Sequence, residues 1–130
     1  MKDDLERATG AADAAKCREA LSQIAAEAWR LDRVVEKALT RMEPRDAERF
    51  SGQYRWFQKK VDAALLQAGL TIVDLSGQPY SVGLAVTPLN ADEFGDEPLE
   101  VAQMVEPIIM SGGEVMKPGT VMLRPLRDED

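Results

Sequence analysis

Residues 14–42 read AAKCREALSQIAAEAWRLDRVVEKALTRM. Apolar side chains fall at Ala14, Cys17, Leu21, Ile24, Ala28, Leu31, Val35, Ala38 and Met42, stepping by three and four residues without a slip. This is the a/d spacing of a heptad carried through four repeats, so it predicts a helix whose narrow seam faces another helix. Arg18, Glu27, Arg30, Arg33 and Lys37 flank the seam with charge, as a solvated face requires. Alanine at several seam positions permits close approach but buries little surface. Trp29, Val34 and Leu39 lie off the strict seam and widen the stripe, which suits a helix packed against more than one neighbour. With Gly10 just upstream, the first ten residues are expected to fray. The helix is predicted over about residues 11–42, roughly 45 Å at 1.5 Å per residue.

Downstream, Pro44 stops this helix, because its ring clashes with the preceding turn, and it can open the next one at the first helical position. A second stripe at Phe50, Tyr54, Phe57, Val61, Ala64 and Ala68 again steps by four and three. Its register against Met42 is displaced, so a turn near 43–46 is expected rather than one unbroken rod. Gly69 follows the last apolar position, where a left-handed C-cap belongs.

After Gly69 the period changes to short strand-like runs. Residues 70–75 (LTIVDL) are β-branched and end in the turn Ser76-Gly77-Gln78-Pro79. Residues 84–87 make a second candidate strand, followed by an acidic loop from Asn90 to Pro98. Leu99, Val101, Gln103 and Val105 alternate with Glu100, Ala102, Met104 and Glu106, as a half-buried strand would. Residues 108–110 and 114–116 flank Ser111-Gly112-Gly113, a hairpin turn, and Pro118-Gly119 leads into a last strand over 120–124. The fold class expected is α+β. A long N-terminal helix and a second helix form a dimeric helical bundle over 1–69. A small all-β module comes next over 70–126, with a disordered tail at 127–130.

Composition narrows the function. At 130 residues the chain buries only a modest core alone, and its 23 acidic and 16 basic side chains give a net charge of −7. Residues 1–69 hold 13 basic and 12 acidic side chains, a net of +1; residues 70–130 hold 3 and 11, a net of −8. That balance argues against a nucleic-acid partner and directs the second half toward a basic protein surface. There is no histidine, and Cys17 is the single cysteine, so general-base, thiolate-cluster and disulfide chemistry lose their usual residues. Cys17, in an Ala-rich helical run, reads as a small buried apolar residue. No apolar run is long enough to span a bilayer, so no membrane partner and a cytoplasmic location are expected.

The remaining constellations favour structure over chemistry. Asp92, Glu93, Asp96 and Glu97 could ligate calcium, but their spacing is not that of an EF-hand and a solvated loop suits them better. The glycine turns lack the phosphate-cradle pattern and do not open helices. Trp56 falls beside the second stripe, at a position suited to an interface. Met104, Met110, Met116 and Met122 each lie in a candidate strand and suit plastic core filling. No nucleophile, base and orienting group assemble, so no enzyme, cofactor or metal is expected.

Three segments carry a family resemblance. Residues 69–80 (GLTIVDLSGQPY) resemble the start of the GrpE β domain: a glycine after the last helix, an apolar strand, a glycine turn and a Pro-aromatic pair. Residues 105–123 (VEPIIMSGGEVMKPGTVML) look like its closing hairpin, and residues 31–39 (LDRVVEKAL) are similar to a helix segment of the family. The chain departs from the family in a shorter N-terminal helix and in Glu114, where many members have a basic residue after the hairpin glycine.

The resemblance implies a nucleotide exchange factor, a co-chaperone that promotes ADP release from the ATPase domain of a DnaK-type chaperone. The alternative is an adaptor of the same shape without exchange activity. It implies partner contacts at Leu84, Val86, Glu106, Glu114, Met116 and Lys117. The heptad seam gives the homodimer interface: Cys17, Leu21, Ile24, Ala28, Leu31, Val35, Ala38 and Met42.

Overall fold

The computed structural model describes residues 2–127, so residues 128–130 of the expected tail lie outside the described residues. The fold is α+β, with two helices followed by two small three-stranded sheets. The chain divides into two compact units, the first ending at Leu70 and the second beginning at Thr71.

In the first unit, α1 spans Lys2–Leu39 and α2 spans Pro44–Gln67. The helix α1 runs straight through Gly10 and starts nine residues before the expected point. One interior glycine costs only about 1 kcal/mol relative to alanine, and Ala8, Ala11, Ala12, Ala14 and Ala15 around it are the strongest helix formers. At its other end α1 stops at Leu39 rather than Met42, and Glu43, directly before Pro44, is held in extended geometry at φ −58° and ψ 139°. Arg41 N–H bonds to the Ala38 carbonyl at 3.1 Å and Met42 N–H to that of Leu39 at 3.3 Å, tightening the turn. Pro44 opens α2 at its first position, where a missing N–H costs nothing. Gly69, at φ 77°, closes α2 in the left-handed conformation, its N–H bonded to the Leu66 carbonyl at 2.9 Å.

The two helices form an antiparallel hairpin. Ser22, Ala25, Ala26 and Trp29 make the buried stripe of α1, and Asp32, one turn on, accepts a hydrogen bond from the Tyr54 hydroxyl of α2. Leu65 is buried three turns along the same face of α2 as Tyr54. Tyr54 stacks on Phe50 at 6.2 Å and tilts against Phe57 at 5.7 Å between ring centroids. Arg33 lies 4.4 Å over the Trp29 ring, a cation–π contact within α1.

Burial, and then the Asp32 carboxylate beside it, push the Tyr54 hydroxyl well above its ordinary value of 10.0. The folded hairpin therefore holds this proton more tightly than the unfolded chain does. The stabilisation is whole below about pH 10 and is lost as pH rises through the folded-state value. Thermal melts above about pH 10 should show a decline in stability that Tyr54→Phe flattens, while at neutral pH Tyr54→Phe costs about 1 kcal/mol.

In the second unit, β1 (Leu70–Val73), β4 (Ile108–Ser111) and β5 (Glu114–Lys117) form one sheet in the order β1-β4-β5. The other sheet has the order β2-β6-β3, from β2 (Val86–Pro88), β6 (Gly119–Pro125) and β3 (Leu99–Glu106). In it β6 runs parallel to β2 and antiparallel to β3. The chain changes sheet three times: through residues 74–85 between β1 and β2, and then twice at one proline, Pro107 between β3 and β4 and Pro118 between β5 and β6. Proline has no N–H to leave unbonded where a ladder is abandoned. Val101, Met104, Ile108, Ile109, Val121 and Leu123 form the buried core.

Simple alternation along β3 does not hold. Its register with β6 slips between Val101 and Gln103 and again between Met104 and Glu106, leaving Ala102 and Val105 as extra residues. The bulge at Ala102 flips the face of the residues beyond it, so Val101 and Met104 are both in the core, while Glu100 is buried on the opposite face of the strand. Of the four recurring methionines only Met104 is fully core; Met110, Met116 and Met122 are half-buried.

Candidate partner-binding surface

The heptad seam of α1 consists of two rows, each repeating every seven residues. Leu21, Ala28, Val35 and Met42 are half-buried or, for Val35, fully buried within the single chain. Cys17, Ile24, Leu31 and Ala38 are exposed, Ile24 by 60% and Leu31 by 44%. Within the single chain one row is partly occupied by the chain's own packing, and Cys17 lies in the open row. On α2 the expected inner stripe is also partly open, with Phe50 and Phe57 exposed and Tyr54 turned toward Asp32.

The two open rows share one side of the hairpin. At 100° per residue, Leu31 sits 100° behind Asp32 and Phe57 sits 60° behind Tyr54, the pair that marks the contact line. In antiparallel helices, displacement in the same rotational sense emerges on the same side. Ile24 and Leu31 thus leave an open apolar row on α1, and Phe50 and Phe57 one on α2, each displaced to the same side of the Asp32–Tyr54 line.

In the β unit, Gly112 and Gly113 have φ 58° and 86°, and Ser111 pairs with Glu114 across them. Two successive positive φ values make the tight hairpin turn whose twist matches the strands, and only glycine adopts both at low cost. Glu114 is exposed at this tip on β5, an edge strand. Met110 pairs with Val115 and Ile109 with Lys117, so Met116 is the extra residue of a bulge. The bulge turns both Met116 and Lys117 half inward. On the far side of Pro118, Val86 pairs with Gly119 and Glu106 with Thr120, on opposite edges of the start of β6. Half-buried Leu84 accepts a hydrogen bond from Val86 N–H at 2.8 Å. Leu84, Val86, Glu106 and Lys117 thus gather about the Pro118–Gly119 crossing, with Met116 next along the chain. Glu114 stands apart at the hairpin tip.

Sequence reasoning missed the polar core of this unit. The Asn90 side chain donates Nδ2–H to the Leu123 carbonyl at 2.9 Å and accepts the Leu123 N–H at Oδ1 at 2.8 Å. It continues the β2–β6 ladder for one more rung after Pro88↔Val121. Glu100 is buried and bonds Arg124 Nε at 2.9 Å across the β3–β6 pair, with Arg127 at 3.9 Å. Opposite charges in both strands were visible, but their register was not. Asp92, Glu93, Asp96 and Glu97 are all exposed in the loop before β3. Among the described residues no three His, Cys, Asp or Glu side chains are placed to hold a metal ion, and no helix is long and apolar enough to cross a membrane. No protein-family model, curated protein or solved structure matches the chain.

Proposed function

We propose that the chain is a GrpE-like co-chaperone that acts as a homodimer and promotes ADP release from a DnaK-type ATPase domain. One observation carries the reading: the order of long helix, break at Pro44, second helix, Gly69 cap and glycine-turned β module. The mechanism involves no bond chemistry. The β module engages an opened conformation of the ATPase domain, and binding that state preferentially lowers affinity for the nucleotide. Leu84, Val86, Glu106, Met116 and Lys117 supply the contact, with Glu114 at its edge.

A nucleotide-release assay tests this. The full chain should accelerate loss of labelled ADP from a DnaK-type chaperone by at least about tenfold, within the usual span of such couplings. Because Glu114 is a rim charge, Glu114→Lys should alter binding more at about 50 mM salt than at about 500 mM. The exposed Glu114, where the resembled hairpin is basic, favours one second reading: an adaptor that binds the chaperone without exchange. Binding without accelerated release selects that reading, and no binding at all sinks both.

The dimer rests on the apolar face shared by the two helices, which a second hairpin can cover to complete a four-helix bundle. Leu31 is exposed in the single chain, so Leu31→Asp should leave the fold intact and penalise only association. Burying that uncompensated charge costs about 3 kcal/mol or more, weakening the dimer by at least about a hundredfold. Light scattering should show the shift to monomer. A monomeric parent chain at micromolar concentration would exclude the dimer.

A further inference from the structure

The outer face of α2 is chemically distinct from both surfaces above. Arg45, Arg49, Trp56, Lys59 and Lys60 are all exposed. At 100° per residue they fall, together with Gly52 and Ala63, inside an arc of about 100°. The carboxylates of α2, Asp46, Glu48 and Asp62, fall outside that arc. A protein of net charge −7 thus presents a row with four cations and no anion, centred on a tryptophan. Trp56 is 64% exposed and meets Lys60, whose Nζ lies 5.4 Å from the ring centroid. Gly52 and Ala63 are small, so the chain on either side of the ring along the row leaves it accessible. Trp56 sits 200° on from Tyr54 and 100° from Phe57, so the row stays in water whether or not a second hairpin covers the apolar face.

We infer that this row is a docking surface for an acidic protein segment that places an apolar side chain over Trp56. Charge complementarity argues for the acid, and the ring argues for the apolar anchor. Tryptophan is among the residues enriched in interface hot spots, where one desolvated anchor contributes most of the affinity. The row is about 22 Å from Arg45 to Lys60, enough for a short segment. A nucleic-acid strand, charged about every 3.4 Å, would run beyond these four cations onto a chain of net −7. A membrane-surface helix needs a broad apolar face between its cations, and Trp56 alone does not supply one.

The test uses the full chain and a labelled peptide of about twelve residues, mostly glutamate with two central leucines, and does not involve a chaperone. Binding should appear as a change in fluorescence anisotropy and weaken as salt rises from about 50 to about 500 mM. Trp56→Ala should reduce affinity at least about tenfold, and Arg49→Glu with Lys60→Glu should abolish binding. Because these side chains are exposed, all variants should keep the parent melting temperature. Arg45→Lys, which keeps the charge, should bind within about twofold of the parent. No peptide binding at millimolar concentration overturns the inference, as does binding indifferent to both the Trp56 and the charge-reversal variants. Tighter binding of an oligothymidine strand or of phosphatidylserine vesicles than of the peptide overturns it too.

Discussion

Asn90→Ala is expected to destabilise the β unit enough to unfold a large fraction of it near room temperature. The Asn90 side chain completes both backbone groups of Leu123, a buried residue in the central strand of its sheet. Alanine leaves a donor and an acceptor unpaired, with no side chain to replace either bond. Each orphaned buried group costs about 1–3 kcal/mol, so the change costs about 2–6 kcal/mol. A whole domain is stable by only about 5–15 kcal/mol, and a unit this small stands at the low end. Urea unfolding followed by circular dichroism gives the magnitude, and amide hydrogen exchange at Leu123 reports the lost bond directly. A cost below about 1 kcal/mol would mean that water or a shifted loop replaces the side chain.

The second large effect belongs to Gly119, the first residue of β6. Its N–H bonds to the Ala85 carbonyl at 3.0 Å, and it sits where β2, β3 and the start of β4 converge. A Cβ placed there would lie 2.8 Å from Met104 Cε, 3.0 Å from the Glu106 carbonyl oxygen and 3.0 Å from Ile108 Cγ1. The methionine end can swing away; the carbonyl of Glu106 cannot without moving β3. Gly119→Ala should therefore cost about 1–3 kcal/mol, and Gly119→Val should fall at or beyond the top of that range. For a unit of this size about 2 kcal/mol lowers the melting temperature by roughly 10 °C. Gly95→Ala is the control, since nothing lies within 4 Å of a Cβ there. If Gly119→Ala melts with the parent, the crossing is looser than its geometry indicates.

These two residues also mark where sequence reading succeeds and where it stops. Pro44, Gly69 and the Gly112-Gly113 turn were legible because each acts on its own few neighbours: a clash, a cap, a pair of positive φ values. The heptad of α1 was legible as a period. Its division into a buried and an open row was not, since that depends on the angle at which α2 returns. Asn90 and the Glu100–Arg124 pair depend on register between residues 33 and 24 apart in the chain, and Gly119 on how β6 crosses β3 and β4. The two bulges in β3 shift that register further. Alternation put Val101 and Met104 on opposite faces; the bulge at Ala102 brings both into the core. The acidic surface and the basic row on α2 were visible only as totals of charge, because faces appear once the helix phase is fixed.

The strand order of the second sheet has a consequence for how the chain is made. Neither β2 nor β3 pairs with the other; both pair only with β6 in that sheet, and β6 is synthesised after them. During translation the helical hairpin can close as soon as its residues emerge, because its contacts are local. The β2 and β3 segments must wait with unpaired edges until the strand that joins them leaves the ribosome. Pairing over such separations is slow, and waiting edges invite other chains. The nascent β unit thus spends its most adhesive interval tethered to a helical unit that is already folded.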